Sequence, residues 1–223
     1  MAQSVRYLLS GHHCLSLNKM ENQMYMQVLV TYATEHGATA EIAEKIGEVL
    51  RQAGLPTDVV PVTQVKDLMP YTAVILGSAV YIGKWRKEAV KFLEANEQEL
   101  GKRDVWLFSS GPTGEGDPVE LMQGWRFPEA QQPIADRLQP HDIALFHGAL
   151  DMNKLNFLEK WIIKNVKAPV GDFRDWEDIS AWAMAIIAEL QETAVEPEMQ
   201  LRDPLQARGR APVAIQDELV KQT

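Results

Sequence analysis

Short runs of apolar, β-branched and aromatic residues recur along the chain and alternate with stretches of helical periodicity. Such runs are typical of buried strands, whereas apolar residues spaced three and four positions apart are typical of amphipathic helices. The predicted strands cover residues 27–32, 57–62, 73–78, 104–109 and 143–147. The predicted helices cover residues 42–53, 85–93, 154–164 and 175–191. This alternation predicts an α/β fold: a doubly wound, five-stranded parallel sheet with helices on both faces.

The two ends of the chain lack this alternation. Residues 1–25 contain only a short apolar run, which is too short for the core of a signal peptide. From Val195 onward, Pro, Arg, Gln and Glu dominate without periodicity. We therefore expect a flexible extension over residues 1–25, one domain over residues 26–192 and a flexible tail over residues 193–223.

Composition narrows the classes of function. The net charge of −9 over 223 residues argues against nucleic-acid binding, because no basic face is available for phosphates. The single cysteine, Cys14, excludes an internal disulfide and fits a reducing cytoplasm. No apolar run reaches the roughly 18 residues that a membrane span requires. His12 and His13 adjoin Cys14 without a partner cluster elsewhere, so we expect no metal site. The composition predicts a soluble, acidic, cytoplasmic protein.

Ligands of a doubly wound sheet bind beyond the carboxyl ends of its strands, and the first strand is followed there by a small polar loop. Residues 33–39 open a helix, whose first backbone N–H groups and dipole favour a negative charge. The loop contains no Lys or Arg, so amides and the hydroxyls of Thr34 and Thr39 would hold the anion. The pattern indicates a bound monophosphate, although an ordinary strand-to-helix connection capped by Thr has the same pattern.

The third strand is followed by a loop that carries two large aromatic residues. Residues 77–85 read GSAVYIGKW and approach the phosphate-binding G-x-x-x-x-G-K-[ST] motif. Five residues rather than four separate Gly77 from Gly83, however, and Trp85 stands where the magnesium-binding hydroxyl is required. We therefore reject a nucleotide triphosphatase. Tyr81 and Trp85 could stack on a planar ring system, or they could belong to the core.

The fourth strand is followed by a glycine-rich loop, residues 109–117, which reads SSGPTGEGD. Its three glycines allow the backbone to approach a ligand closely. Their order does not match the dinucleotide fingerprint, and Pro112 would interrupt the start of a helix. A loop of exposed N–H groups beside a planar ring suits the pyrimidine edge of a flavin.

These three loops, each at its expected strand end, resemble those of the flavodoxin-like family. Within that family, residues 33–39, 147–150 and 171–177 resemble the branch that contains menaquinone-dependent protoporphyrinogen oxidase. The resemblance covers about residues 26–190 and implies the strand order 2-1-3-4-5. It also implies that FMN is the cofactor and that the redox chemistry belongs to the flavin.

The resemblance assigns FMN-binding roles residue by residue. The phosphate would be held by Thr34, Glu35, His36, Gly37, Ala38 and Thr39. The isoalloxazine would lie between two segments, with Tyr81 or Trp85 against it: Ser78, Ala79, Val80, Tyr81, Ile82 and Gly83 on one side, and Ser109, Ser110, Gly111, Pro112, Thr113 and Gly114 on the other.

An insertion over residues 119–140 separates the chain from a simple flavodoxin. A long segment beside a presumed site is often functional, but a lid packed over the domain or a dimer contact would look the same. We hypothesise that the insertion and the basic start of the second helix receive a flat, apolar molecule with carboxylates, such as a porphyrinogen. The candidate substrate residues are Lys84, Trp85, Arg86, Trp125 and Arg126.

The sequence leaves the type of redox protein open. The interpretations are an oxidase that passes electrons from a porphyrinogen through FMN to a quinone, an electron carrier without its own substrate, and an FMN-dependent NAD(P)H:quinone reductase. His36 and His147 lie near strand ends but offer no compelling general base. Peripheral contact with the inner face of the membrane through the apolar part of the insertion, residues 119–130, is a further possibility.

Overall fold

The computed structural model describes residues 26–166 and 169–193. The predicted extension over residues 1–25, including His12, His13 and Cys14, and nearly all of the predicted tail therefore lie outside the described residues. The fold described below belongs to the unit that ends at Ile187, and the described residues 188–193, which continue the last helix, are assigned to a second unit.

Eight strands and seven α-helices occupy the described residues. The strands are β1 Val28–Ala33, β2 Thr57–Pro61, β3 Ala73–Tyr81, β4 Lys84–Trp85, β5 Asp104–Ser110, β6 Asp142–Phe146, β7 Ala149–Leu150 and β8 Gly171–Asp172. The α-helices are α1 Ala38–Gln52, α2 Lys87–Ala95, α3 Glu97–Leu100, α4 Pro118–Leu121, α5 Gln132–Leu138, α6 Phe157–Val166 and α7 Trp176–Thr193. Short 3-10 helices lie at Val62–Gln64, Glu129–Gln131 and Met152–Lys154.

The five long strands form one parallel sheet in the order β2-β1-β3-β5-β6. Counted along the chain without the short β4, this is the predicted order 2-1-3-4-5, which is therefore confirmed. Pro61 ends the edge strand β2, where its missing N–H disrupts no second ladder. Asp175 caps α7, since its Oδ1 accepts hydrogen bonds from the N–H groups of Glu177 and Asp178 at 2.9 and 3.1 Å.

The segment after the third strand differs from the prediction. β3 continues to Tyr81, and β4 then pairs with it antiparallel, so residues 79–81 and Trp85 belong to strands rather than to a loop. Ile82 and Gly83 form the two-residue turn with φ values of 51° and 67°. Positive φ at both positions is the signature of a type I′ hairpin. The small residues Gly77, Ser78 and Ala79 concealed this extension.

Both faces of the sheet are buried, as expected where helices cover a parallel sheet. On one face, Leu29, Leu76 and Leu107 pack with Trp85 and Phe92 of the segment that contains β4 and α2. Alternate strand residues, which face the other way, are also buried: Val28, Val30, Ile75, Trp106 and Phe108. On that face, α1 contributes Ile42 and Ile46, and the ring of Trp182 from α7 lies 6.1 Å from that of Phe108.

The predicted insertion is a packed part of the domain. Phe127 is buried, and its ring meets that of Trp85 edge-on at 4.8 Å. Ile134 and Ala135 of α5 join the same hydrophobic cluster. The segment therefore covers one face of the sheet.

The close approach of Phe108 to Gly77 yields a stability prediction. The two residues are cross-strand partners, and a Cβ on Gly77 would overlap the Phe108 ring, which is fully buried. We expect Gly77→Ala to lower the free energy of unfolding by about 1–3 kcal/mol, the usual cost of overpacking a core. Urea denaturation measures this change.

Gly101→Ala is the matched control, because Gly101 is exposed and a Cβ there would meet its nearest neighbour at 3.5 Å. Its unfolding free energy should change by no more than about 0.5 kcal/mol. Equal stability of the two variants would contradict the proposed overlap.

Candidate functional site

A cleft of about 460 Å³ lies at the carboxyl ends of the central strands. Its lining comes from the last residues of β3 and β5 and from the segments that follow β1, β3, β5 and β6, and it is mainly apolar. This is the position at which ligands bind in open α/β sheets. The lining residues are Thr34, His36, Ala38, Thr39, Ala79, Val80, Tyr81, Ile82, Ser110, Gly111, Thr113, Gly148, Ala149, Leu150, Leu155 and Ile163.

The first turn of α1 forms one end of the cleft. Gly37 precedes the helix with φ 94°, a left-handed conformation that glycine adopts without strain, and no side chain caps the helix. Thr34 Oγ1 instead accepts a hydrogen bond from the N–H of Gly37 at 3.0 Å and so folds the loop. The following residues, Ala38 and Thr39, line the cleft. The uncapped amides and the helix dipole make this end suited to an anion.

Two cations reach this end from distant parts of the chain. Lys154 Nζ donates a hydrogen bond to the carbonyl oxygen of His36 at 3.4 Å. The guanidinium of Arg174 donates to the carbonyl oxygen of Ala38 at 3.2 Å and forms an ion pair with Glu41 at 2.8 Å. The local sequence contains no basic residue, so sequence reasoning missed both of these contacts.

Arg174 also ties the end of β8 to α1. Its side chain is only 6% exposed, and a second nitrogen pairs with Asp172 at 2.6 Å. The hydrogen bond from Arg174 holds the pKa of the Asp172 carboxyl below its usual range, although partial burial opposes this shift. The ring of Trp176 lies 4.6 Å from the guanidinium carbon. Arg174 therefore fixes the first turn of α1 and leaves its N–H groups available to a ligand.

The hairpin of β3 and β4 forms an apolar wall of the cleft. Ala79, Val80, Tyr81 and Ile82 line it, and Tyr81 and Ile82 are exposed by 43% and 92%. Arg86 lies 5.9 Å from the centre of the Tyr81 ring and forms an ion pair with Glu35. This pair links the hairpin to the loop that opens α1.

The glycine-rich loop after β5 lies directly against the end of β6. A Cβ on Gly148 would come within 3.1 Å of the Gly111 carbonyl oxygen, so the two backbones touch. The N–H of Gly148 donates to the carbonyl oxygen of Pro112 at 2.9 Å. The ring nitrogens of the buried His147 lie 3.2 and 2.8 Å from the carbonyl oxygens of Pro112 and Gly116. His147 thus holds the loop in place and does not line the cleft.

Eleven of the predicted cofactor residues line the cleft: Thr34, His36, Ala38, Thr39, Ala79, Val80, Tyr81, Ile82, Ser110, Gly111 and Thr113. The remaining predicted ones lie outside its lining: Glu35, Gly37, Ser78, Gly83, Ser109, Pro112 and Gly114. The prediction missed the residues contributed after β6, which are Gly148, Ala149, Leu150, Leu155 and Ile163. The HGAL stretch at residues 147–150 was the one local signal for this wall.

Ser78 and Ser109 are fully buried and serve the fold. Ser109 Oγ accepts a hydrogen bond from Trp85 Nε1 and donates to the carbonyl oxygen of Arg126, both at 2.8 Å. Ser78 Oγ accepts from the N–H of Arg86 at 2.9 Å. Trp85 is 4% exposed and belongs to the core, so the alternative that it stacks on a ligand is not met.

The predicted substrate residues are not gathered at the cleft. Arg126 lines a separate groove beside the amino end of β6, and Trp125 is half-buried. Arg86 is engaged by Glu35 and by Glu88, the latter at 3.5 Å. Lys84 is exposed, and its cross-strand partner in the hairpin is Tyr81, which lines the cleft.

Within residues 26–166 and 169–193, no group of three His, Cys, Asp or Glu side chains could hold a metal ion. In the same ranges, no helix has the length and apolarity needed to cross a membrane.

Known proteins give an independent comparison. The sequence model of the flavodoxin domain family matches residues 29–176. The protoporphyrinogen IX dehydrogenase [quinone] of Escherichia coli strain K12 is 21% identical over 182 residues, which cover 72% of this chain and 94% of that protein. A solved flavodoxin from the domain Archaea is 14% identical, with a TM-score of 0.50, and covers 74% of this chain and 99% of that one.

A short-chain flavodoxin associated with a bacterial microcompartment is 13% identical, with the same TM-score and the same shares of the two chains. At these identities the two structures support the fold alone. The family match covers well over half of the 223 residues and includes the three loops that build the cleft. The chain therefore belongs to the flavodoxin domain family.

Proposed function

We propose that this protein is an FMN-dependent oxidoreductase that oxidises a porphyrinogen and delivers the electrons to a quinone. The observation that carries the proposal is the composition of the cleft. One space of about 460 Å³ combines the uncapped start of α1 with an apolar, aromatic wall. A phosphate and a planar ring of one ligand require these two environments side by side.

The residues of the cleft fit FMN, the cofactor that the flavodoxin family implies. The phosphate would lie against the amides of Ala38 and Thr39, and the ring system between Tyr81 and Gly111. The backbone contact between Gly111 and Gly148 keeps side chains out of this space. When bound, the flavin supplies the capacity to accept and release electrons, while the protein binds and orients it.

Two observations favour an enzyme with its own substrate. Leu150, Leu155 and Ile163 extend the cleft with a further apolar wall, which a large flat molecule would contact. Lys154 contacts the His36 carbonyl oxygen, and Lys84 lies opposite Tyr81 in the hairpin. Both cations are thus next to lining residues and could pair with carboxylates of such a molecule. The name of the Escherichia coli relative, which this chain matches along 94% of that protein's length, agrees with a porphyrinogen and a quinone.

The cellular setting follows from the proposed acceptor. We place the protein in the cytoplasm, with peripheral contact at the inner face of the membrane, where a lipid-soluble quinone is available. Its net charge of −9 does not favour a nucleic-acid partner. The same charge also suits an electron carrier. The first experiment must therefore distinguish an oxidoreductase from a carrier.

That experiment is anaerobic titration of the purified protein with protoporphyrinogen. We expect the visible absorption bands of an oxidised flavin in the isolated or FMN-reconstituted protein. The porphyrinogen should bleach them, and menaquinone should restore them. Stopped-flow absorbance measures both steps.

The other functions give different results. A carrier would keep its colour with the porphyrinogen and show two well-separated flavin potentials. A quinone reductase would be bleached directly by NAD(P)H. A colourless protein that FMN cannot reconstitute would refute all three redox proposals.

The phosphate end can be tested through Thr34. Thr34→Val removes the hydroxyl that accepts the Gly37 N–H but keeps the size of the side chain. We expect the affinity for FMN to fall about fivefold, the effect of about 1 kcal/mol for one hydrogen bond, with little change for riboflavin, which lacks the phosphate. Fluorescence titration with both flavins measures the difference.

Thr63→Val is the matched control, since Thr63 is exposed in the 3-10 helix after β2 and does not line the cleft. It should change neither affinity. An equal loss of affinity for FMN and riboflavin in Thr34→Val would mean that Thr34 stabilises the loop in general and does not act on the phosphate.

Substitution of Lys84 and of Arg126 tests whether the substrate binds at the cleft or at the groove beside β6. Lys84 stands at the hairpin rim, whereas Arg126 lines the groove beside β6. Lys84→Ala should raise KM for the porphyrinogen about two- to fivefold, the range of an exposed ion pair, with kcat nearly unchanged. Arg126→Ala should leave both constants unchanged. Steady-state kinetics at fixed quinone measures them, and an effect of Arg126→Ala alone would place the substrate outside the cleft.

A further inference from the structure

The outer side of α6 exposes large apolar side chains to solvent. Phe157 and Trp161, one helical turn apart, are exposed by 88% and 61%, and Val170 beyond the helix by 54%. Neighbouring side chains within a turn lie on the same side of a helix. We call Phe157, Trp161 and Val170 the α6 surface.

The opposite side of this helix belongs to the cleft. Ile163 lines the cleft, as does Leu155 just before the helix. The apolar side chains of the α6 surface therefore do not line the cleft and are exposed to solvent. Tyr81 at the end of β3, Ile82 after it and Leu121 after β5 are also exposed, so much of the exposed apolar area lies at one edge of the sheet.

The charge of this segment is opposite to that of the chain. Residues 152–170 contain four lysines and one glutamate and no aspartate or arginine, a net charge of +3, whereas the whole chain carries −9. Lysines that flank exposed aromatic residues are typical of helices that lie in the interface of an anionic bilayer. Because the rest of the protein is acidic, a negative surface would attract the side that carries this basic segment and repel the other sides.

We propose that the α6 surface docks on an anionic lipid bilayer. The Phe157 and Trp161 rings would enter the headgroup region, and Lys160, between them on the helix, would face the lipid phosphates. The function of this contact rests on the proposed quinone reduction, because docking would bring the cleft beside α6 to the bilayer that holds a lipid-soluble acceptor. The sequence left open a membrane contact through residues 119–130; in that segment Phe127 is buried and Leu121 is exposed.

A second copy of the chain is the less suitable occupant. A twofold interface places the same surface against itself, so two segments of charge +3 would meet. An anionic bilayer instead complements both the apolar rings and the lysines.

Vesicle flotation of the full-length, FMN-loaded protein tests the proposal. The probes are vesicles of phosphatidylcholine alone and of phosphatidylcholine with phosphatidylglycerol. We expect binding to the anionic vesicles that weakens with added salt, and little binding to the neutral ones. Trp161→Ser should weaken the anionic binding about tenfold or more, the factor that burial of one large apolar side chain corresponds to. Lys160→Gln should weaken it about fivefold.

Two exposed residues on other loops are the matched controls. Met69, exposed by 79% in the loop that enters β3, tests a general loss of apolar surface through Met69→Ser. Lys66→Gln, at an exposed lysine, tests a general loss of positive charge. Both should leave vesicle binding unchanged.

Three results would overturn the proposal. They are an absence of binding to anionic vesicles, equal losses in Trp161→Ser and Met69→Ser, and a dimer in light scattering that Trp161→Ser dissociates while no vesicle is bound. Porphyrinogen oxidation with a water-soluble quinone is measured in parallel and should be unchanged in Trp161→Ser. Loss of membrane docking and failure of the proposed redox function are therefore read from separate signals.

Discussion

The hydroxyl of Ser109 joins three parts of the molecule that the sequence separates. A fully buried hydroxyl requires partners, and this one accepts from the Trp85 indole and donates to the Arg126 carbonyl oxygen. It thereby connects β5 to the β3–β4 hairpin and to the segment that carries Phe127. The Phe127 ring then covers Trp85 from the side. The Trp85 indole thus makes a hydrogen bond to Ser109 and an apolar contact with Phe127. Together these two contacts hold the hairpin that forms one wall of the cleft.

The sheet could be predicted because its information is local. Each long strand is a nearly continuous apolar run, since parallel strands are buried on both faces. The loop that opens α1 was equally readable, because the geometry of a strand, a short polar loop and a helix depends on adjacent residues. Thr34, Ala38 and Thr39 were therefore placed in the cleft from the sequence, and the structure has all three there.

The walls of the cleft could not be predicted in the same way, because they depend on contacts across the chain. Lys154 reaches the loop before α1, and Arg174 reaches its first residue, each from more than a hundred residues away. Trp85 had the composition of a stacking residue, but its indole N–H had a buried partner that only the fold reveals. Residues after β6 that return over the cleft, such as Leu155 and Ile163, carried no local motif.

The contact between Gly111 and Gly148 gives the cleft two kinds of lining, one formed by main-chain atoms and one formed by side chains. Where these residues line the cleft, its surface is main chain, whose hydrogen-bonding groups are the same whatever side chains surround them. The remaining walls are side chains from separate loops. Variation in those loops can reshape the space offered to a substrate while the backbone surface against the cofactor stays constant. One scaffold can in this way acquire new electron donors without rebuilding its cofactor site.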